Sequence, residues 1–96
     1  MTALLLRFKT SLQHAGKAPA TIRSYTYDVQ QFLIWAKHNQ LSLENISSED
    51  ASAYLQFLKN KKHELRPGKW GHYQPGTVRK KIVTLRLFFD FIGSEQ

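Results

Sequence analysis

Apolar residues recur at three- and four-residue intervals through most of this chain, and no segment sustains the two-residue alternation of a half-buried strand. That periodicity confines the fold to packed helices. Leu5, Phe8, Leu12 and Ala15 mark a first helix over roughly 3–15, closed at Gly16, a residue that enters the left-handed region at no steric cost. Ile22, Tyr25, Val29, Phe32, Leu33 and Ala36 fall within about 100° of one another at helical spacing, so a second helix should run from Pro19 to His38. A polar connector carrying Leu41, Leu43 and Ile46 follows. Ser47 and Asp50 then have the N-cap and N3 spacing of a capping box, and Ala51, Tyr54, Leu55 and Leu58 make a third helix. Residues 60–76 hold Pro67, Gly68, Gly71, Pro75 and Gly76, which reads as a long connector. Val78, Ile82, Leu85, Phe89 and Ile92, with Phe88 widening the stripe, predict a fourth helix that ends at Gly93. The expected architecture is all-α, a bundle of four main helices.

Composition narrows the function classes. Ninety-six residues suit one domain over 1–96 and exclude a large multi-domain enzyme. Apolar residues make up 42% of the chain, yet no stretch approaches the ~20 needed to span a bilayer, so a soluble compact domain is expected. There is no cysteine, hence no thiolate chemistry, and a reducing cytoplasm is the default compartment. Leu4, Leu5 and Leu6 give way at once to Arg7, Phe8 and Lys9, which does not resemble a secretion signal.

Charge indicates the partner. Fourteen Lys and Arg oppose seven Asp and Glu, for a net +7 and an isoelectric point near 9.9. Residues 59–86 hold nine of those cations against Glu64 alone, a local net of +8 that leaves the rest of the chain at −1. Such clustering points to a polyanion, with a merely solvated basic face as the bland alternative. Two helices also open alike, with Pro19-Ala20-Thr21-Ile22-Arg23 and Pro75-Gly76-Thr77-Val78-Arg79. Proline suits the first helical position, but an arginine at the positive end of a helix dipole is unfavourable by a few tenths of a kcal/mol, roughly. A phosphate there would reverse that sign. Arg23, Tyr27, Gln30 and Lys37 share one flank of the second helix. On the fourth, Arg79 and Arg86 stack, Lys80 lies round the far side, and Lys81 falls by the apolar stripe, where its stem can pack while its ammonium reaches solvent.

The pattern Pro19, Thr21, Ile22, Tyr25, Asp28, Phe32 and Trp35, followed by Ile46, Asp50, Tyr54 and Leu55 and then Thr77, Val78, Lys81, Leu85, Arg86, Phe88 and Phe89, resembles the N-terminal core-binding domain of the tyrosine recombinases, or phage integrases. The resemblance covers almost the whole chain. It implies a SAM-like helical domain forming half of a clamp around double-stranded DNA, with its second and fourth helices at the major groove. Those are the helices carrying Arg23, Tyr27, Gln30, Lys37, Arg79, Lys80 and Arg86. It also implies a separate C-terminal catalytic domain and neighbouring recombinase subunits as partners. The chain departs from the family at Ala18 and Gln74, where serine is common before the prolines, and alanine caps a helix worse by about 1 kcal/mol. The 60–76 connector is longer than usual, and its basic residues, with Trp70 and Tyr73, either follow a nucleic-acid backbone or fold over the core.

Catalytic chemistry is not expected within this chain. The resemblance assigns strand cleavage to an arginine, lysine, histidine and tyrosine set in the catalytic domain. His63-Glu64-Leu65-Arg66 spells that family's histidine–arginine motif, but just before Pro67-Gly68 it reads as coincidence. Tyr25 and Tyr54 lie on apolar stripes, and Tyr27 and Tyr73 are surface tyrosines with no evident base. Asp28 and Asp50 suit capping or a polar packing contact. His14, His38, His63 and His72 are spaced 24, 25 and 9 apart, which offers no metal pair on one helix face, and no cofactor is implied. The competing reading is a helical protein-interaction module, suggested by Leu4 or Leu6 on the first helix and Val83, Leu87 and Phe91 on the fourth. Membrane-surface binding ranks third, because the cations are not confined to one amphipathic helix.

Overall fold

Residues 3–95 are described by the structure, a computed structural model, and they form four helices and one short hairpin. Met1, Thr2 and Gln96, which a domain over 1–96 includes, lie outside the described residues. The helices are α1 (Ala3–His14), α2 (Pro19–His38), α3 (Ser48–Asn60) and α4 (Pro75–Glu95). α2 packs against both α1 and α4, and α3 closes on α4. The all-α bundle expected from periodicity is the observed fold. No helix among the described residues is long and apolar enough to cross a membrane.

Local chemistry explains the boundaries. Gly16 sits at φ +76°, the left-handed conformation that stops α1. Ser47 accepts a hydrogen bond from the Asp50 amide at 3.1 Å while the Asp50 carboxylate accepts from the Ser47 amide at 3.0 Å, so the expected capping box opens α3. The connector between α2 and α3 contains a single 3₁₀ turn, Leu43–Asn45.

Two expectations are corrected. Gly93 does not end α4, which continues to Glu95: glycine stops a helix by taking a positive φ, and Gly93 does not take one. The 60–76 segment is not irregular throughout. β1 (His63–Arg66) and β2 (Lys69–Gly71) pair antiparallel across Pro67-Gly68, with Gly68 at φ +79° and an irregularity between Glu64 and Arg66.

The core is largely aromatic. Ring contacts run unbroken from Phe91 and Phe8 through Phe88 and Phe89 to Phe32, then by Tyr54 and Trp35 to Phe57, His63 and Tyr73. They join α1, α4, α2, α3 and the hairpin in one packed unit, so each helix is positioned by its neighbours' rings. Phe91, expected on the outer face of α4, is instead half-buried against Phe8, and Leu4 also packs on the core. Leu6, Val83 and Leu87 are exposed as expected.

Tyr54 is 1% exposed, and among the described residues its hydroxyl has no hydrogen-bond partner. Desolvation pushes its phenol well above the ordinary tyrosine range, with Tyr73, Asp28 and Tyr27 adding in that order. An orphaned buried hydroxyl contributes a desolvation penalty and no bond. Tyr54→Phe should therefore leave stability unchanged or raise it by up to about 1–2 kcal/mol in urea unfolding. A loss above about 1 kcal/mol would show that the hydroxyl has a partner.

Candidate nucleic-acid interface

The starts of α2 and α4 share their local chemistry. Ala18 takes an extended conformation before α2 and supplies no side-chain cap, and the first turn closes through Ile22 N–H to Ala18 C=O at 3.0 Å. At α4 the matching bond is Val78 N–H to Gln74 C=O at 3.1 Å. Neither helix carries an acid in its first turn, whereas α3 carries Glu49 and Asp50 there. The positive ends of α2 and α4 are thus left without the first-turn carboxylates that neutralise α3.

Between these starts the two helices meet around Asp28, which is 3% exposed. Its carboxylate accepts from Lys81 Nζ at 2.8 Å through one oxygen and from Lys80 through the other. Lys80 also donates to Ser24 Oγ, and the Thr84 hydroxyl lies 3.4 Å from Asp28 Oδ2 while donating to the Lys80 carbonyl at 3.0 Å. Gln31 extends the network: its Oε1 accepts from Lys81 at 3.0 Å and its Nε2 donates to the Tyr73 hydroxyl at 2.9 Å. The Lys81 ammonium also lies 5.1 and 5.0 Å from the ring centres of Tyr27 and Tyr73, within cation–π range. A buried carboxylate with two lysines and an aromatic rim fixes α2 on α4.

This network corrects three expectations. The Lys81 ammonium does not reach solvent, because Lys81 is 5% exposed and its charge is neutralised by Asp28. Lys80 points to α2 and ends on Ser24 and Asp28, so it is a tethered cation with part of its side chain still exposed. Tyr73 is half-buried and hydrogen-bonded, not a free surface tyrosine. Asp28 is the polar packing contact expected of it. What sequence reasoning missed is that Asp28 and Lys81 answer each other. The signal was present, since each is a charge lying on an otherwise apolar stripe.

The remaining candidate residues stay accessible. Arg23, Tyr27, Gln30, Lys37, Arg79 and Arg86 are all exposed, and among the described residues neither Arg23 nor Arg79 has a carboxylate partner. The structure does not bring the two arginines into one pocket. Arg23 borders a depression shared with Lys9, Gln13 and Lys17, beside α1. Arg79 borders another with Lys59 and Tyr73, where α3 ends and the hairpin returns. Arg86 lies further along α4 beside Ala51 and Ser52 of α3, and Lys37 occupies the last turn of α2. Among the described residues, no group of three or more His, Asp or Glu side chains converges as metal ligands would.

Comparison with known proteins decides the family. Residues 4–95 match the model of the phage integrase N-terminal SAM-like domain. The chain belongs to that family. This SAM-like domain is 35% identical over 71 residues to the tyrosine recombinase XerC of Staphylococcus carnosus, a match covering 74% of the chain and 21% of the relative. It is 27% identical over 93 residues to a tyrosine recombinase of Pseudothermotoga lettingae, covering 96% of the chain and 30% of the relative. The SAM-like domain thus spans less than a third of the length of these curated relatives. No solved structure matches it.

Proposed function

We propose that this domain binds duplex DNA along α2 and α4, as the N-terminal, non-catalytic part of a tyrosine recombinase acting in DNA integration and recombination in the cytoplasm. Arg23, Tyr27, Gln30, Lys37, Arg79 and Arg86 supply the contacts, and Lys80 adds a cation held in place by Asp28. The observation that carries this reading is the pair of exposed arginines, without carboxylate partners among the described residues, at two helix starts that lack first-turn acids. Phosphate contacts of this kind position a protein on DNA without reading sequence, so the module should be sequence-tolerant. Cleavage chemistry then belongs to a C-terminal catalytic domain, with neighbouring recombinase subunits as further partners.

Anisotropy of a labelled duplex titrated across a salt series tests this. Removing one cation from a phosphate should flatten the log–log salt dependence by about 0.9, so Arg23→Ala with Arg79→Ala should flatten it by about 1.8 and weaken binding alike on unrelated sequences. A double variant with unaltered affinity and slope would remove these residues from the interface.

A second reading, a protein-interaction module, is favoured by exposed Leu6, Val83 and Leu87. Light scattering with and without duplex separates the two, since this reading expects self-association that is independent of DNA.

A further inference from the structure

The β1–β2 hairpin has a buried root and a tip that no fold contact explains. A two-stranded hairpin is marginal alone in water, so its root must be held. His63, 8% exposed, stacks on Tyr73 with centroids 4.3 Å apart and planes 8° apart, and it meets the edge of Phe57. Tyr73 is in turn tied to Gln31 of α2, which places the hairpin beside the α2–α4 network. The tip is in solvent, with Trp70 65% and Leu65 50% exposed.

The charges at the tip are arranged against folding stability. Arg66 and Lys69 are direct cross-strand partners, and like charges placed so destabilise a ladder unless an anion lies between them. The nearby acid does not serve, because the Glu64 carboxylate accepts from the Gly68 amide at 3.2 Å within the turn. Among the described residues no carboxylate forms an ion pair with either cation. Successive strand residues alternate faces, so the tip offers the Arg66–Lys69 cations on one face and exposed Trp70, across from Glu64, on the other. That suits a ligand that flanks the tip with both anionic oxygens and flat apolar surface, as a nucleic-acid groove does.

We infer that the hairpin is a second duplex-DNA contact, with Arg66 and Lys69 on phosphates and Trp70 against the groove, extending the footprint of α2 and α4. The inference rests on the DNA-binding reading above and adds an element to it. Acrylamide quenching of tryptophan fluorescence, run on the intact chain with a labelled duplex whose anisotropy reports binding independently, tests it. The component that disappears in Trp70→Phe is assigned to Trp70, a substitution at an exposed site that leaves the fold intact. Binding should lower the quenching of that component at least about twofold, and Arg66→Ala with Lys69→Ala should flatten the salt dependence by about 1.8. A chain that binds duplex while Trp70 stays equally open and the double variant keeps the full slope would overturn the inference and leave the α2–α4 reading standing. Shielding that depends on protein concentration without duplex would assign the tip to protein contact and also overturn it. Absence of any duplex binding would remove both readings.

Discussion

Asp28→Ala is expected to lower the unfolding free energy by about 3–5 kcal/mol, because it strands the Lys81 ammonium in the core with, among the described residues, only Gln31 Oε1 as a hydrogen-bond acceptor. Total stabilities of about 5–15 kcal/mol are typical, so roughly a fifth or more of the whole is lost at one position. With urea m-values of about 1–3 kcal/mol/M, the unfolding midpoint should fall by roughly 2 M. The breaking of a buried pair, and not the pair itself, produces this loss. Combining Asp28→Ala with Lys81→Met, which removes the stranded charge, should therefore recover much of it. If the single variant loses less than about 1 kcal/mol, water reaches Lys81 and the crossing is not buried as described.

Phe88→Ala should cost a comparable amount, about 3–5 kcal/mol, by a different route. Phe88 is fully buried, meets Phe8 of α1 edge-on at 5.3 Å, and touches Phe89, so its removal opens a cavity where α1 docks on α4. Val83 lies on the same helix at 46% exposure, and Val83→Ala should stay within about 0.5 kcal/mol. Calorimetry of the two variants makes the comparison, and equal costs would mean that Phe88 is not at the α1–α4 contact.

How much of this was legible in the chain depends on the range of the signal. Helix extents were readable because their determinants are local: Gly16, Pro19 and the Ser47–Asp50 box each act within a few residues. The hairpin was missed because strands of four and three residues are too short to show alternation, and Pro67-Gly68 punctuates a connector and a turn alike. Gly93 misled for a related reason, since a glycine stops a helix only where tertiary context lets it turn left-handed. The exposed faces carrying Arg23, Tyr27, Gln30 and Arg79 followed from helical spacing alone. The partners of Lys80 and Lys81 did not, because sequence spacing within one helix does not say which residues of another helix lie opposite.

The doubly bridged carboxylate at Asp28 also builds in redundancy. One negative charge serves two positive ones, so loss of either lysine still leaves the carboxylate a charged partner. The crossing therefore tolerates the removal of one amine better than the removal of the acid that both amines share.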